Sequence, residues 1–390
     1  MTKSKVYLSL ILVALILFNI GFFSYSTINL IDDIEVEGSG HWMTTPFTIY
    51  QNSDWFSLTV NDWCNGTGTL NNPYRIENLT INGQGSPCIT IIDTDVYFRI
   101  MNCNFSNSLS YPTLSLESVS NGYIAFNNLS YNGVGIRMQD CRNIAFTHNL
   151  IYNSTDESIV LQESQDTYQG CSNNTISYNT CFNNDVGIYV EDSNNNTIKG
   201  NQISDNRIGI IISNANNTLI YNNTVNNNQI YGINVHTSIN GTVEENKVIN
   251  NEEVGINLVL SHYSKLKSNF VSKNYGLNDS SFIGIRLTES TFIRISDNVI
   301  NASDTGIRLI QSTQNTIFDN IIRYLSNCIV EQLSSGNLIY DNNCSQLSLD
   351  ESGPEPTPKP KSIPGYNITA LIGVYCIIGL IILRRRRDNN

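Results

Sequence analysis

The chain has 390 residues, a formal net charge of −12 and 57 asparagines, and only 14% of its residues are charged. Asparagine favours turns over helix interiors, and no basic cluster occurs outside the termini. The composition therefore argues against helical bundles and against nucleic-acid binding, while the hydrophobic fraction of 40% argues against disorder.

The N-terminal segment 1–30 is predicted to be a membrane signal. Lys3 and Lys5 precede the apolar run 6–23, an arrangement typical of a secretory signal peptide. Because no clear cleavage site follows, a signal peptide and a retained anchor are both consistent with the sequence.

Residues 31–71 are predicted to form an N-terminal cap. They include Trp42, Trp55 and Trp63, large side chains that can cover the open end of a repeat structure. Such cover is needed because unpaired strand edges pair readily with other chains.

A repeat of about 22 residues organises residues 72–346. Segments 186–207, 208–229 and 231–252 each begin with an apolar or aromatic residue, Gly and Ile, and continue through a polar bend to further apolar residues. The strands in each copy are too short to bury a face alone. Stacked copies would pair strand on strand in parallel, so the sequence predicts an all-β solenoid of about 12 turns.

One asparagine per copy is predicted to stack in a ladder. Its members would be Asn82, Asn104, Asn127, Asn149, Asn179, Asn201, Asn222, Asn246, Asn269, Asn298, Asn320 and Asn342. Each amide can donate to one neighbouring turn and accept from the other, and asparagine also tolerates the left-handed backbone of a bend. The glycine that precedes each long strand, for example Gly187, is expected to permit a sharp corner.

Three aspartates each precede a ladder asparagine: Asp297, Asp319 and Asp341, at intervals of 22 residues. They are expected to stack about 4.8 Å apart, where like charges repel unless they are solvated or bridged by a cation. A calcium ion could bridge two of them, and a solvated acidic stripe is the alternative. Tyr178 and Tyr221 are interpreted as sharing this register, and exposed aromatic rings can stack on sugars.

Two pairs of cysteines are close in sequence. Cys171 and Cys181 are ten residues apart, and Cys328 and Cys344 are sixteen apart. In an oxidising compartment either pair could form a disulfide, and free thiols are the alternative.

The C-terminal part is predicted to contain a Pro-rich linker, 347–364, and a transmembrane or sorting segment, 365–390. In the latter, the apolar run 368–383 is followed by four arginines. Basic residues lie on the outer side of both terminal apolar runs. The positive-inside rule therefore places both termini in the cytoplasm and the repeats outside the cell.

The repeats resemble those of the pectate-lyase-like superfamily, especially the NosD-type group and the carbohydrate-binding and sugar hydrolase repeat domain. Residues 66–81 (GTGTLNNPYRIENLTI) resemble the opening segment of archaeal surface members. The resemblance implies a single-stranded right-handed parallel β-helix, here with an N-terminal cap and a hydrophobic helix at each terminus. The C-terminal segment, with its apolar run and four arginines, resembles the sorting signals of archaeal surface proteins, which implies cleavage and lipid attachment.

The enzyme motifs of that superfamily do not occur in the sequence. The Asn-Thr-Asp motif of the hydrolases is missing, since Asn174-Thr175 is followed by Ile176, and the one Asp-Asp pair, Asp32-Asp33, precedes the repeats. Gly-His-Gly, Arg-Ile-Lys and the Asp-Pro-His of alginate epimerases are absent as well. No catalytic or cofactor-binding residue is therefore predicted.

The NosD resemblance implies copper, whose ligands would be His, Met or Cys. His41, His148, His236 and His262 occupy different repeat positions and Met is scarce, so no copper site is predicted. In pectate lyases an arginine near calcium removes a proton from an acidic sugar. Arg286 and Arg308 form a stacked pair here, but the acidic chain disfavours a polyanionic substrate.

These observations predict a membrane-anchored extracellular β-helix protein that is structural or glycan-binding and non-catalytic. The expected partners are the membrane and an extracellular polysaccharide or surface glycoprotein, with no nucleic acid. The alternatives are a polysaccharide lyase or glycoside hydrolase, and a copper accessory protein. No cofactor is expected apart from calcium at the aspartates.

Overall fold

The computed structural model describes residues 42–165, 169–273, 282–301 and 304–347. Within these ranges the chain winds into a parallel β-helix built from three sheets, which we number in the order in which each turn enters them. The predicted all-β parallel β-helix is confirmed. No helix in the described ranges is long and apolar enough to span a bilayer. The terminal segments 1–30 and 365–390 lie outside the described residues.

Sheet 1 has 12 strands and carries the Gly-Ile segments of the repeat. Its strands are Phe47–Tyr50, Ile89–Thr94, Pro112–Val119, Val134–Gln139, Glu157–Gln162, Val186–Glu191, Ile208–Ser213, Tyr231–His236, Val254–Val259, Ile283–Thr288, Thr305–Ile310 and Asn327–Gln332.

Sheet 2 has 13 shorter strands. They are Cys64–Asn65, Tyr74–Glu77, Phe98–Met101, Gly122–Ala125, Ala145–Thr147, Thr175–Ser177, Thr197–Lys199, Leu219–Tyr221, Thr242–Glu244, Lys265–Lys267, Arg294–Ser296, Thr316–Phe318 and Leu338–Tyr340. The first of them pairs antiparallel with the second, and the others pair in parallel.

Sheet 3 also has 13 strands. They are Trp42–Thr44, Leu79–Asn82, Asn104–Ser106, Asn128–Ser130, Leu150–Tyr152, Thr180–Phe182, Gln202–Ser204, Thr224–Asn226, Lys247–Ile249, Phe270–Ser272, Val299–Asn301, Ile321–Tyr324 and Asn343–Gln346. Sheets 1 and 3 thus take their first strands from residues 42–50, which lie inside the region predicted as a cap.

The interior is a set of aliphatic columns. In one turn, Ile188, Val190, Ile198 and Ile203 are fully buried, and Ile188 pairs in register with Ile210 of the next turn. Burying such a side chain stabilises the fold by roughly 1.5–3 kcal/mol. Because every turn repeats the same inward positions, the core is continuous along the helix axis.

The repeat glycine is explained by packing, and the corner predicted for it is not observed. Gly187 does not have a positive φ. A Cβ atom there would lie 2.4 Å from Cγ2 of Ile203 and 2.5 Å from the carbonyl oxygen of Gly209. Glycine is therefore needed because sheet 1 passes too close to sheet 3 and to the next turn for any side chain.

The N-terminal end is covered by helix α1, Gln51–Leu58. Its Trp55 is fully buried, its ring lies 5.4 Å from that of Tyr74 and 5.1 Å from that of Phe98, and its Nε1 donates to Oγ1 of Thr94. Trp55 thus closes the first turns of the core.

Of the two predicted cysteine pairs, only Cys328 and Cys344 form a disulfide, which joins sheet 1 to sheet 3 in the last turn. Cys171, which lies in a corner, and Cys181, which lies in a strand of sheet 3, are free. Burial raises the pKa of Cys181 from 9.0 to about 12. Burial also raises the pKa of Cys64 and Cys103 to about 12.

An asparagine ladder runs inside the corner between sheets 2 and 3. The backbone N–H and Nδ2 of Asn201 both donate to Oδ1 of Asn223 in the next turn, each at 2.9 Å. Nδ2 also donates to the carbonyl of Ile176 in the preceding turn. The ladder consists of Asn127, Asn149, Asn179, Asn201, Asn223, Asn246, Asn269, Asn298, Asn320 and Asn342.

Three predicted members lie outside this ladder. Asn222 is exposed one residue before it and has the left-handed φ of 53°. Asn104 begins a strand of sheet 3 and Asn82 ends one, while Cys103 takes the ladder position and donates its N–H to Asn127. Where asparagines are adjacent or nearby in sequence, only the fold decides which of them turns inward.

Further inward ladders occupy the other corners and were not predicted. Asn184, Asn206, Asn228 and Asn251 form one between sheets 3 and 1, and Ser238, Ser261, Ser290 and Ser312 form another after sheet 1. Buried polar side chains therefore stabilise several corners of the turn.

We expect Asn223→Ala to lower the free energy of unfolding by about 2–5 kcal/mol, because it leaves two buried donors of Asn201 without an acceptor. Urea unfolding followed by circular dichroism measures this. The matched control is Asn222→Gly, which changes an exposed left-handed residue to one that adopts this conformation freely. Equal destabilisation by both changes would contradict the assignment of the ladder.

The buried thiols are expected to resist alkylation in the folded protein. Iodoacetamide at pH 8 should label Cys64, Cys103 and Cys181 at less than about a tenth of their rate in urea, because burial removes both access and thiolate. Peptide mass spectrometry measures each site separately. Rapid native labelling of Cys181 would show that its turn is not packed as described.

Candidate functional site

Six rings cluster on the outer side of sheet 3 in three consecutive turns. This aromatic face consists of Phe126, Tyr131, His148, Tyr152, Tyr178 and Phe182. It is well exposed, since Phe126, Tyr131 and Tyr178 retain 41%, 57% and 51% of their accessible surface. Exposed aromatic groups concentrated in this way indicate an interaction surface.

The rings form two columns that run from turn to turn, one at each end of the sheet 3 strands. In the first, His148 lies between Phe126 and Tyr178, with centroid distances of 5.0 and 5.1 Å. In the second, Tyr152 stacks on Phe182 at 5.1 Å, and Tyr131 meets Tyr152 edge-on.

Backbone geometry creates the first column. Phe126, His148 and Tyr178 all have left-handed φ values between 54° and 58°, a conformation that is costly for aromatic residues. The bend turns these side chains outward, and the stacking of rings in successive turns offsets part of this cost. In the next turn the position is Gly200, over which the ring of Tyr178 lies.

A third column, which contains no aromatic residue, lies between the other two. Asn128, Leu150 and Thr180 pair in register across the three strands. The aromatic face therefore combines apolar rings at both edges with amide and hydroxyl groups in the middle, and these strand residues carry no charge.

Tyr178 and Tyr221 do not share a position, contrary to the sequence interpretation. Tyr178 occupies the bend, whereas Tyr221 is the last residue of a sheet 2 strand, and Asn222 occupies the bend in that turn. The error is the same one-residue shift that misplaced Asn222 in the ladder.

The predicted aspartate stripe lies in the same bend position near the other end of the helix. Asp297, Asp319 and Asp341 are exposed and have left-handed φ values of 59°, 54° and 53°. Among the described residues, no three His, Cys, Asp or Glu side chains are close enough to hold a metal ion. The conformation of the bend accounts for these residues, and calcium binding stays a prediction.

The described histidines are scattered. His148 belongs to the aromatic face, His236 ends a strand of sheet 1 and His262 lies in the corner before sheet 2. In each, Nδ1 is hydrogen bonded to a threonine hydroxyl at 2.8 Å. They do not converge on a common point, and His41 lies outside the described residues.

A polar pocket of about 340 Å³ lies at the corner between sheets 1 and 2, next to helix α1. It is lined by Asn52, Asp93, Thr94, Asp95, Ser118, Val119, Ser120, Asp140, Arg142 and Gln169. Two of its carboxylates serve the protein's own structure. Asp95 accepts from Nδ2 of Asn52, and Asp140 accepts the backbone N–H groups of Ser164 and Gly170.

The outer side of sheet 1 carries two groups of charged residues. Around Glu157, burial raises the pKa of the carboxyl group, while the nearby Arg137 acts in the opposite direction. Burial and a hydrogen bond to Glu191 raise the pKa of Tyr189. Further along the same sheet, Arg286 and Arg308 are register partners, as the sequence predicts.

A family model described as periplasmic copper-binding protein (NosD) matches residues 47–231, 167–278 and 225–353, and so covers most of the described chain. No curated protein matches the chain by sequence.

Several solved structures are similar in fold. The catalytic unit of a thermostable GH87 α-1,3-glucanase from Streptomyces thermodiastaticus has a TM-score of 0.54 and 11% identity, over 84% of this chain and 68% of that one. Tailspike protein 3 of bacteriophage CBA120 has a TM-score of 0.50 and 13% identity, over 69% of this chain and 52% of that one. The A-module of the mannuronan C-5 epimerase AlgE6 from Azotobacter vinelandii has a TM-score of 0.46 and 12% identity, over 80% and 92%. At these identities, the likeness to the glucanase and the tailspike protein indicates a common fold alone.

Proposed function

Because the chain belongs to the NosD family of β-helix proteins, we propose that it uses this scaffold to bind an uncharged glycan, without catalysis, on the aromatic face. The observation that carries the proposal is the concentration of six rings in three consecutive turns on one side of sheet 3.

The chemistry of the face suits a sugar chain. Pyranose rings present C–H groups that pack on aromatic rings, and hydroxyl groups that need hydrogen-bond partners. Within one turn the two columns are four residues apart, which is at most roughly 13 Å along the backbone, so one sugar chain can contact both. Asn128 and Thr180 lie between them and supply donors and acceptors.

Copper is not part of this proposal, although the family description names it. Copper sites require several converging His, Met or Cys ligands. The three described histidines lie in different places, and the six free cysteines of the described ranges are buried in the interior. The donor groups of the described residues thus do not fit a copper site of the usual kind.

A hydrolase or lyase would need groups that converge on a bound sugar, and the polar pocket is where the described residues come nearest to this. Inverting and retaining glycosidases both use a pair of carboxyl groups that flank the scissile bond. In the pocket, Asp95 and Asp140 are already engaged in the protein's own hydrogen bonds. This engagement favours binding over catalysis.

The proposal also places the repeats outside the cell and attaches the chain to the membrane. It rests on the basic and apolar patterns of segments 1–30 and 365–390 and on the positive-inside rule.

Replacement of Tyr178 or Tyr152 by Ala is expected to weaken binding to a neutral polysaccharide at least tenfold, because each loses a ring that packs on the sugar. Affinity electrophoresis against gels that contain single neutral polysaccharides identifies a ligand and gives the dissociation constant. The matched control is Tyr263→Ala, which removes a ring that is 57% exposed and stacked on Phe292 in another corner.

Two results would contradict this function. One is that the double variant Tyr152→Ala/Tyr178→Ala binds every neutral polysaccharide that the native protein binds, with unchanged affinity. The other is release of reducing ends or unsaturated sugars by the native protein, with loss of that activity in Asp93→Asn, which would make it an enzyme.

Protease added to intact cells is expected to degrade the repeats, and the protein should sediment with membranes. Truncation after residue 364, combined with replacement of segment 1–30 by a cleavable signal peptide, should release the repeats into the medium, because both predicted anchors are then removed. Immunoblots of the cell fractions measure both effects. Protection from protease in intact cells, with digestion only after lysis, would place the repeats inside.

A further inference from the structure

Arg286 and Arg308 form a pair of cations on the outer side of sheet 1. They occupy equivalent positions in adjacent strands and are direct register partners, so their Cα atoms lie about 4.8 Å apart. Both side chains are partly exposed, whereas the neighbours on either side of each in its strand are buried.

Arg286 is held in a fixed orientation. Its Nε donates to Oδ1 of Asn257 at 2.8 Å, and its Nη2 donates to the hydroxyl of Tyr231 at 3.2 Å. The guanidinium carbon lies 5.6 Å from the centre of the Tyr231 ring, and Asn257 is itself fixed by a bond from its Nδ2 to Asn234. A long side chain is thus pre-organised without a carboxylate.

Arg308 has unused hydrogen-bonding capacity. Its Nη2 makes one long contact of 3.4 Å to Oε1 of Gln332, and its Nε is buried without a hydrogen-bond partner. A buried donor without an acceptor is unfavourable.

Neither arginine has an anionic partner among the described residues. Within the described ranges, the ion pairs are Arg207–Asp185 and Lys267–Glu244. Two guanidinium groups in adjacent strands repel each other, and nothing in the described part of the chain neutralises them.

We propose that Arg286 and Arg308 together bind an oxyanion, namely a carboxylate or sulfate group carried by a sugar or free in solution. Guanidinium groups bind such anions through two parallel N–H donors. An anion between the two side chains would relieve their repulsion and offer an acceptor to Arg308. This attraction acts at short range, whereas salt screens the long-range repulsion from the net negative charge of the chain. The site lies on sheet 1 and is independent of the aromatic face on sheet 3.

The full chain in detergent is titrated by calorimetry at low ionic strength with three probes. They are a hyaluronan hexasaccharide, which carries carboxylates, the neutral N-acetylglucosamine hexasaccharide, and sodium sulfate. We expect the acidic hexasaccharide to bind at least tenfold more tightly in the native protein than in Arg286→Gln/Arg308→Gln. Added sodium chloride should weaken this binding.

The matched control is Arg137→Gln. Arg137 occupies the equivalent strand position in an earlier turn, where Glu157 is nearby, so its loss should leave the affinity unchanged. Arg308→Lys keeps the charge and tests folding, and it should retain part of the affinity. Tyr263→Ala removes an exposed ring that belongs to neither proposed site, and it should have no effect.

Competition by sulfate would identify the recognised group as an oxyanion, and sulfate binding as tight as the hexasaccharide would assign the site to free anions. An affinity for the acidic hexasaccharide that the double arginine variant retains would overturn the proposal. So would a loss of affinity for the neutral hexasaccharide in that variant as large as the loss for the acidic one.

Discussion

The fold depends on the way in which a side-chain amide closes a buried corner. A chain that turns three times within about 22 residues must bury backbone polar groups at each bend, and each one left unpaired is costly. Asn201 pairs these groups in both directions along the axis. Its Nδ2 donates to Ile176 in the turn before and to Asn223 in the turn after, and its Oδ1 accepts the backbone N–H of Asn179. Each amide is fully used only when another amide lies directly above it. The ladder therefore fixes the register of the turns from Asn127 to Asn342.

Fixed register has a consequence for the surface. Any residue type that recurs at one outward position is brought within about 5 Å of its equivalents in adjacent turns. The bend between sheets 2 and 3 carries rings at Phe126, His148 and Tyr178 and carboxylates at Asp297 and Asp319, with the same left-handed backbone in every case. The interior dictates where these side chains stand, and the sequence is free to choose their chemistry.

The repeat period, the parallel sheets and most of the ladder could be predicted because they depend on spacing alone. The errors arose where spacing was ambiguous. Asn222 and Asn223 are adjacent, and only burial distinguishes the exposed bend from the ladder. The role of Gly187 was also misjudged, because the approach of Ile203 to within 2.4 Å of a Cβ position is a contact between different sheets. The aromatic face was missed because its rings come from segments 22–30 residues apart, and an insertion after Gln162 interrupts the period.

A fold of this kind constrains function less than its family name suggests. The NosD model matches the chain through the repeats, and these encode the interior columns and the corner ladders that any such solenoid requires. The groups that could select a ligand stand at outward positions, which the repeat does not specify. In this chain those positions hold stacked rings on sheet 3 and an unneutralised arginine pair on sheet 1. It follows that two family members with the same ladder can recognise different ligands. Function within such a family should therefore be compared through the residues at each outward position.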